Sequence, residues 1–114
     1  MNSKRICYAC DLVDNPELIE LYKRYHSKDN IWHEITKSIK DSGVIDMEIY
    51  LISNRLFMIM EVNESYTQER KQIMDAANPK VREWEKLMWK FQQALPQAKE
   101  GEKWLPMEQI YKLE

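Results

Sequence analysis

The sequence predicts an α+β fold, an antiparallel sheet with helices on one face, in the split βαβ order β-α-α-β-β-α-α-β. Three observations carry that reading. Residues 5–12, 44–52 and 56–62 alternate or run apolar at strand length. The dipeptides Asn15-Pro16 and Asn78-Pro79 each open a stretch whose apolar residues recur every three or four positions. No internal repeat, low-complexity segment or linker divides the chain, so residues 1–114 are expected to form one domain.

Taken in order, Arg5 to Leu12 (RICYACDL) sets Ile6, Tyr8, Cys10 and Leu12 opposite Cys7, Ala9 and Asp11. Asn15 then caps the free amides of a helix, and Pro16 needs no amide partner at its first position. Leu18, Leu21, Tyr22, Tyr25 and His26 form the stripe of that helix, which stacks Tyr22 and His26 one turn apart on a single face. Ser27 to Asn30 interrupts the pattern. Trp32 and His33 begin a second helix whose stripe, Ile31, Ile35 and Ile39, ends near Gly43.

Val44 to Ile52 (VIDMEIYLI) alternates Ile45, Met47, Ile49 and Leu51 with Val44, Asp46, Glu48 and Tyr50. A short turn over Ser53, Asn54 and Arg55 leads to Leu56 to Val62 (LFMIMEV), its hairpin partner, which is apolar on both faces until Glu61. Such a strand must be covered twice, and in a chain this short a second subunit is the expected second cover. Tyr66 to Ala77 reads as a polar helix. After Asn78-Pro79, Val81, Trp84, Met88, Phe91 and Leu95 mark a buried helical stripe that Pro96 stops, and Met107 to Leu113 reads as a last strand.

Composition narrows the function. The 17 basic and 19 acidic side chains give a net charge of -2 without a basic block, which argues against a nucleic-acid partner. No apolar run approaches the ~20 residues of a membrane span, and MNSKRICYAC lacks the apolar centre of a secretory signal, so a cytoplasmic protein is expected. Cys7 and Cys10 have C-x-x-C spacing. On a strand, however, residues three apart point to opposite faces, and no second cysteine pair follows, so neither a metal nor a disulfide is expected. Two glycines cannot build a phosphate-cradling loop, and no cofactor is expected.

The polar groups able to converge are Tyr22 and His26, Trp32, Glu48 or Tyr50, and Trp84 with Glu85. Taken singly, each has an ordinary structural role: a core-edge histidine is usually satisfied by backbone or water, Trp84 lies on a buried stripe, and glutamates are most simply solvated. As a set they suit a neutral, hydroxyl-rich small molecule. Imidazole exchanges protons near neutrality, phenol donates without ionising, indole offers a flat apolar face and carboxylate accepts from hydroxyls.

The segments ELYKRYHSKDNIWHEI, EIYL, LFMIMEV and WEKLM, in that order around a glycine, resemble the L-rhamnose mutarotase family of small sugar anomerases. The resemblance spans nearly the whole chain, and its most specific piece is Tyr22, His26, Ile31 and Trp32. It implies a ferredoxin-like sandwich whose sheets pair across a homodimer into a dimeric α/β barrel. It also implies that His26 is the general acid toward a free sugar and that Tyr22 binds that sugar. Two positions depart from the family: a tyrosine early in the second strand is Met47 here, and a tryptophan pair is Trp84 followed by Glu85. The expected activity is therefore cofactor-free interconversion of the anomers of a 6-deoxy hexose, L-rhamnose or L-fucose, with Trp32, Met47, Trp84 and Glu85 completing the wall. The rivals are a barrel that binds a small molecule without catalysis and a cofactor-free monooxygenase-like domain, the latter expected to show an all-apolar cavity.

Overall fold

The structure, a computed structural model, describes residues 3–113. Strand β1 (Lys4–Leu12) is followed by helices α1 (Pro16–Tyr25) and α2 (His33–Asp41), the hairpin β2 (Val44–Ile52) and β3 (Arg55–Val62), and helices α3 (Gln68–Ala77) and α4 (Pro79–Met88). Two short strands, β4 (Gln92–Gln93) and β5 (Leu105–Pro106), complete an antiparallel sheet of order β2-β3-β1-β4, in which β5 also pairs with β1. This is the expected α+β, ferredoxin-like arrangement.

Both Asn-Pro starts hold. Asn15 Oδ1 accepts from the amides of Glu17 and Leu18 at 2.9 and 3.2 Å, and Asn78 Oδ1 accepts from those of Lys80 and Val81 at 3.0 and 3.4 Å. Helices α1, α2 and α4 bury residues against one sheet face, whereas α3 buries none. Leu12, Tyr22, Ile35, Leu56, Val81, Trp84, Met88 and Phe91 form the main core cluster, and Val44, Met60 and Val62 form a second one nearer Tyr8 and Tyr66. The opposite sheet face carries Cys7, Ala9, Phe57 and Ile59, with Tyr50 and Ile52 at 53% and 76% exposure, and none of these belongs to either cluster.

Three expectations change. A β-bulge between Val44 and Asp46 throws Ile45 out of register, so that it is 52% exposed while Val44 joins Met47, Ile49 and Leu51 on the helix-covered face. The bulge follows Gly43, whose φ of +104° and close neighbours, with a Cβ there only 2.7 Å from Asn63 Oδ1, leave room for glycine alone. Next, α4 stops at Met88 rather than running on to Leu95. The amides of Lys90 and Phe91 bond to the carbonyls of Leu87 and Met88, and the sheet then captures the chain as Phe91 O accepts from Val13 N at 2.8 Å. Finally, Met107 to Leu113 is not a strand here; Leu105–Pro106 pairs with Tyr8 and Ala9 instead, and Ile110, Tyr111 and Leu113 are 73–89% exposed. Alternation specifies a strand only where an edge is there to receive it, and beyond Met107 N, bonded to Cys7 O at 2.8 Å, the tail pairs with no strand among the described residues.

Candidate active site

Between the helices and the inner sheet face lies a cleft of about 680 Å³, within the usual range for small-molecule sites. The last turn of α1 supplies its most reactive wall. Tyr22 is 4% exposed, and His26 is the residue that ends the helix, half-buried, with its ring 4.2 Å from that of Tyr22. Helical spacing alone brings the two rings together.

The hydrogen bonds fix how each ring is used. His26 Nδ1 lies 2.8 Å from the backbone carbonyl oxygen of Tyr22, a contact that a neutral imidazole makes by donating Nδ1–H. The Nε2 lone pair is then left as an acceptor. Burial lowers the His26 pKa from its ordinary 6.5 against the opposing pull of that carbonyl, so the neutral ring is the resting form at pH 7. Burial likewise raises the Tyr22 pKa, which the hydrogen bond from Gln92 Nε2, 3.1 Å from Tyr22 Oη, only partly offsets. Tyr22 therefore stays a neutral phenol.

Trp84 closes the same wall. It is 6% exposed, meets His26 edge-on at 5.4 Å, and is backed by Trp32 at 5.1 Å and Tyr25 at 6.3 Å. Trp32 is outside the cleft lining. It caps α2 and supports Trp84 from behind, with Lys80 Nζ 5.9 Å from its ring. Met47 lies in the cleft lining with Met58 and Met60, on the inner sheet face. Glu48 and Tyr50 stand on the opposite face and do not reach the cleft.

Glu85 lines the cleft but is not a free carboxylate. Its Oε2 is 2.7 Å from Nζ of Lys103, a side chain 7% exposed that also sits 4.8 Å from the centroid of Trp89. Gln92 and Lys103 were not legible in the sequence: Gln92 follows the end of α4, Lys103 comes from a loop, and no periodicity marks either. At the other end of the cleft, Tyr8 and Tyr66 flank the Lys71–Asp75 ion pair, 2.7 Å long. Polar groups thus stand at both ends, unlike the all-apolar cavity expected for oxygen chemistry. Cys10 is buried on the inner face, where burial pushes its thiol up to about 11, so it is an unreactive packing residue. Among the described residues, no three His, Cys, Asp or Glu side chains gather as a metal site.

With this geometry in hand, residues 5–113 match the family described as L-rhamnose mutarotase. The chain belongs to that family. It is a mutarotase, an isomerase that exchanges sugar anomers. The chain is 40% identical over 113 residues, 99% of its length and 90% of the relative's, to an L-fucose mutarotase of Xanthomonas campestris. It is 37% identical over 115 residues to a UPF0734 protein of Dictyostelium discoideum, covering 97% of this chain and 90% of that one. The crystal structure of an L-rhamnose mutarotase from Formosa agariphila shares the fold, with a TM-score of 0.70 at 24% identity over 97% of this chain and 99% of that one.

Proposed function

We propose that this mutarotase acts on a free 6-deoxy hexose, with L-fucose preferred over L-rhamnose, and that His26 and Tyr22 carry the chemistry. The observation that carries the proposal is the half-buried, neutral His26 ring packed at a tilt on Tyr22 at the wall of the cleft, its Nδ1 occupied and its Nε2 available. The preference for L-fucose is supported by the 40% identical relative named for that sugar. Met47 and the Glu85–Lys103 pair support it too, since they give the wall acceptors and apolar surface where a tyrosine and an indole stand in the resemblance.

Nε2 of His26 takes the proton of the anomeric hydroxyl as the C1–O5 bond breaks, and the Tyr22 hydroxyl delivers its proton to O5. Rotation about C1–C2 and reclosure on the other face return both protons, so only the configuration at C1 changes. The resemblance makes His26 the acid; a lowered pKa supports its starting as the base and acting as the acid on reclosure. Trp84 packs on the apolar edge of the sugar, Met47 contributes to the floor of its pocket, Glu85 accepts from a hydroxyl, and Trp32 holds Trp84 in place.

The whole chain serves as one domain and works as a cytoplasmic homodimer. The apolar outer face around Phe57, Ile59, Tyr50 and Ile52 supports the dimer, and the unpaired Cys7 and Cys10 suit a reducing compartment. Saturation-transfer NMR on L-fucose and L-rhamnose tests the reaction. The wild type accelerates exchange, and His26→Ala loses about a hundred- to ten-thousand-fold of it with the fold intact. Unchanged exchange in His26→Ala would remove the mechanism.

A further inference from the structure

Gln92 is a cleft residue whose hydrogen bonding is half complete among the described residues. It is 5% exposed, lies where the chain leaves α4 and joins β1 through β4, and lines the cleft beside Tyr22. Its Nε2 donates to Tyr22 Oη at 3.1 Å, whereas its Oε1, also buried, has no hydrogen-bond partner among the described residues. Folded proteins rarely leave an amide oxygen in that condition, and where they do a functional role, strain or an ordered water accounts for it; beside a cleft, a ligand donor is one such account.

We propose that Gln92 is a specificity-determining residue, its Oε1 accepting one hydroxyl of the bound sugar while its Nε2 holds Tyr22 Oη in place. The inference rests on the anomer-exchange reading above. Its chemistry follows from the amide's two ends. An N–H aimed at Tyr22 Oη occupies an acceptor lone pair, so the phenol proton turns away from Gln92 and is free for the sugar. The carbonyl end can be satisfied by a donor alone, and on a neutral sugar a hydroxyl is that donor. A sugar lacking the hydroxyl at that position would leave the oxygen unpaired, and the site would reject it.

The test measures anomer exchange of L-fucose and its 2-, 3- and 4-deoxy analogues by wild type and by Gln92→Met, a variant of similar length and shape, with melting temperatures recorded for both. The wild type is expected to lose about ten- to hundredfold in kcat/KM on one analogue. Gln92→Met should show a similar loss on L-fucose and no further loss on that analogue. Penalties that simply add, or a variant that matches wild type on every sugar, would overturn the inference while leaving the mutarotase reading standing. A wild type without exchange on any sugar would overturn both. If Gln92→Met fails to fold, Gln92→Asn, which draws both amide atoms back by one methylene, is compared in the same way and judged by the same outcomes.

Discussion

His26 Nδ1 lies 2.8 Å from the carbonyl oxygen of Tyr22, the residue one helical turn before it. The helix that sets the spacing of the two rings therefore also sets the tautomer of one of them, because the Tyr22 carbonyl oxygen, which also takes the His26 backbone amide at 3.3 Å, can only accept and so needs a proton on Nδ1. A neutral ring with its proton on Nδ1 is a base at Nε2.

Activity should accordingly fall on the acid side. The fold lowers the His26 pKa, so kcat/KM is expected to stay level near pH 7 and to drop with an apparent pKa below the ordinary 6.5. Stability moves the same way. Between the two pKa values the unfolded chain binds more protons than the folded one, so stability declines as pH falls through 6.5 toward the folded value. A pH–rate profile that instead falls off above pH 6 with rising pH would mean that protonated His26 is the working form.

Trp84 is both core and wall, which its variants should separate. With 6% exposure, Trp84→Ala is expected to lower stability by about 3–5 kcal/mol, so its lost activity would report unfolding. Trp84→Phe should cost about 1–3 kcal/mol, remain folded, and raise KM more than it lowers kcat. Equal kinetics for Trp84→Phe and wild type would remove Trp84 from sugar binding.

The Glu85–Lys103 pair makes this part of the cleft wall a two-residue problem. Glu85→Trp alone strands the Lys103 ammonium, whose side chain is 7% exposed, and is expected to destabilise by about 1–3 kcal/mol in chemical denaturation. Adding Lys103→Met should restore that loss. With Met47→Tyr included, the ratio of exchange rates should shift from L-fucose toward L-rhamnose. An unchanged ratio would show that these positions do not select the sugar.

Ile52 tests the dimer cleanly because it is 76% exposed and contributes little to the fold of one chain. Ile52→Lys should alter thermal stability of the isolated chain by no more than about 0.5 kcal/mol while converting a dimer to monomer in sedimentation equilibrium. A wild type already monomeric at high concentration would remove the dimer.

Much of this protein is written in short-range patterns. Asn15-Pro16 fixes where α1 starts, and from that start the four-residue spacing of Tyr22 and His26 stacks their rings on one face. The hairpin and the starts of the two later helices are equally local, since each depends on residues a turn or a strand apart. Local patterns lose their hold where the tertiary environment decides. The register shift after Gly43 turned Ile45 outward, at a turn where Asn63 and Ser65, just beyond the paired strand β3, leave room for glycine alone. The helix expected to reach Leu95 yielded at Met88 to a sheet edge offered by β1.

The sequence by itself determined most of the elements and the stacking of Tyr22 on His26, because backbone periodicity governs both. Only the tertiary structure decided what surrounds that pair. Gln92 reaches Tyr22 across 70 positions of chain and Lys103 meets Glu85 from a loop, while Trp32 ends up behind Trp84 instead of facing the cleft. Contacts between residues so far apart depend on how the layers pack, and no spacing within the chain encodes them.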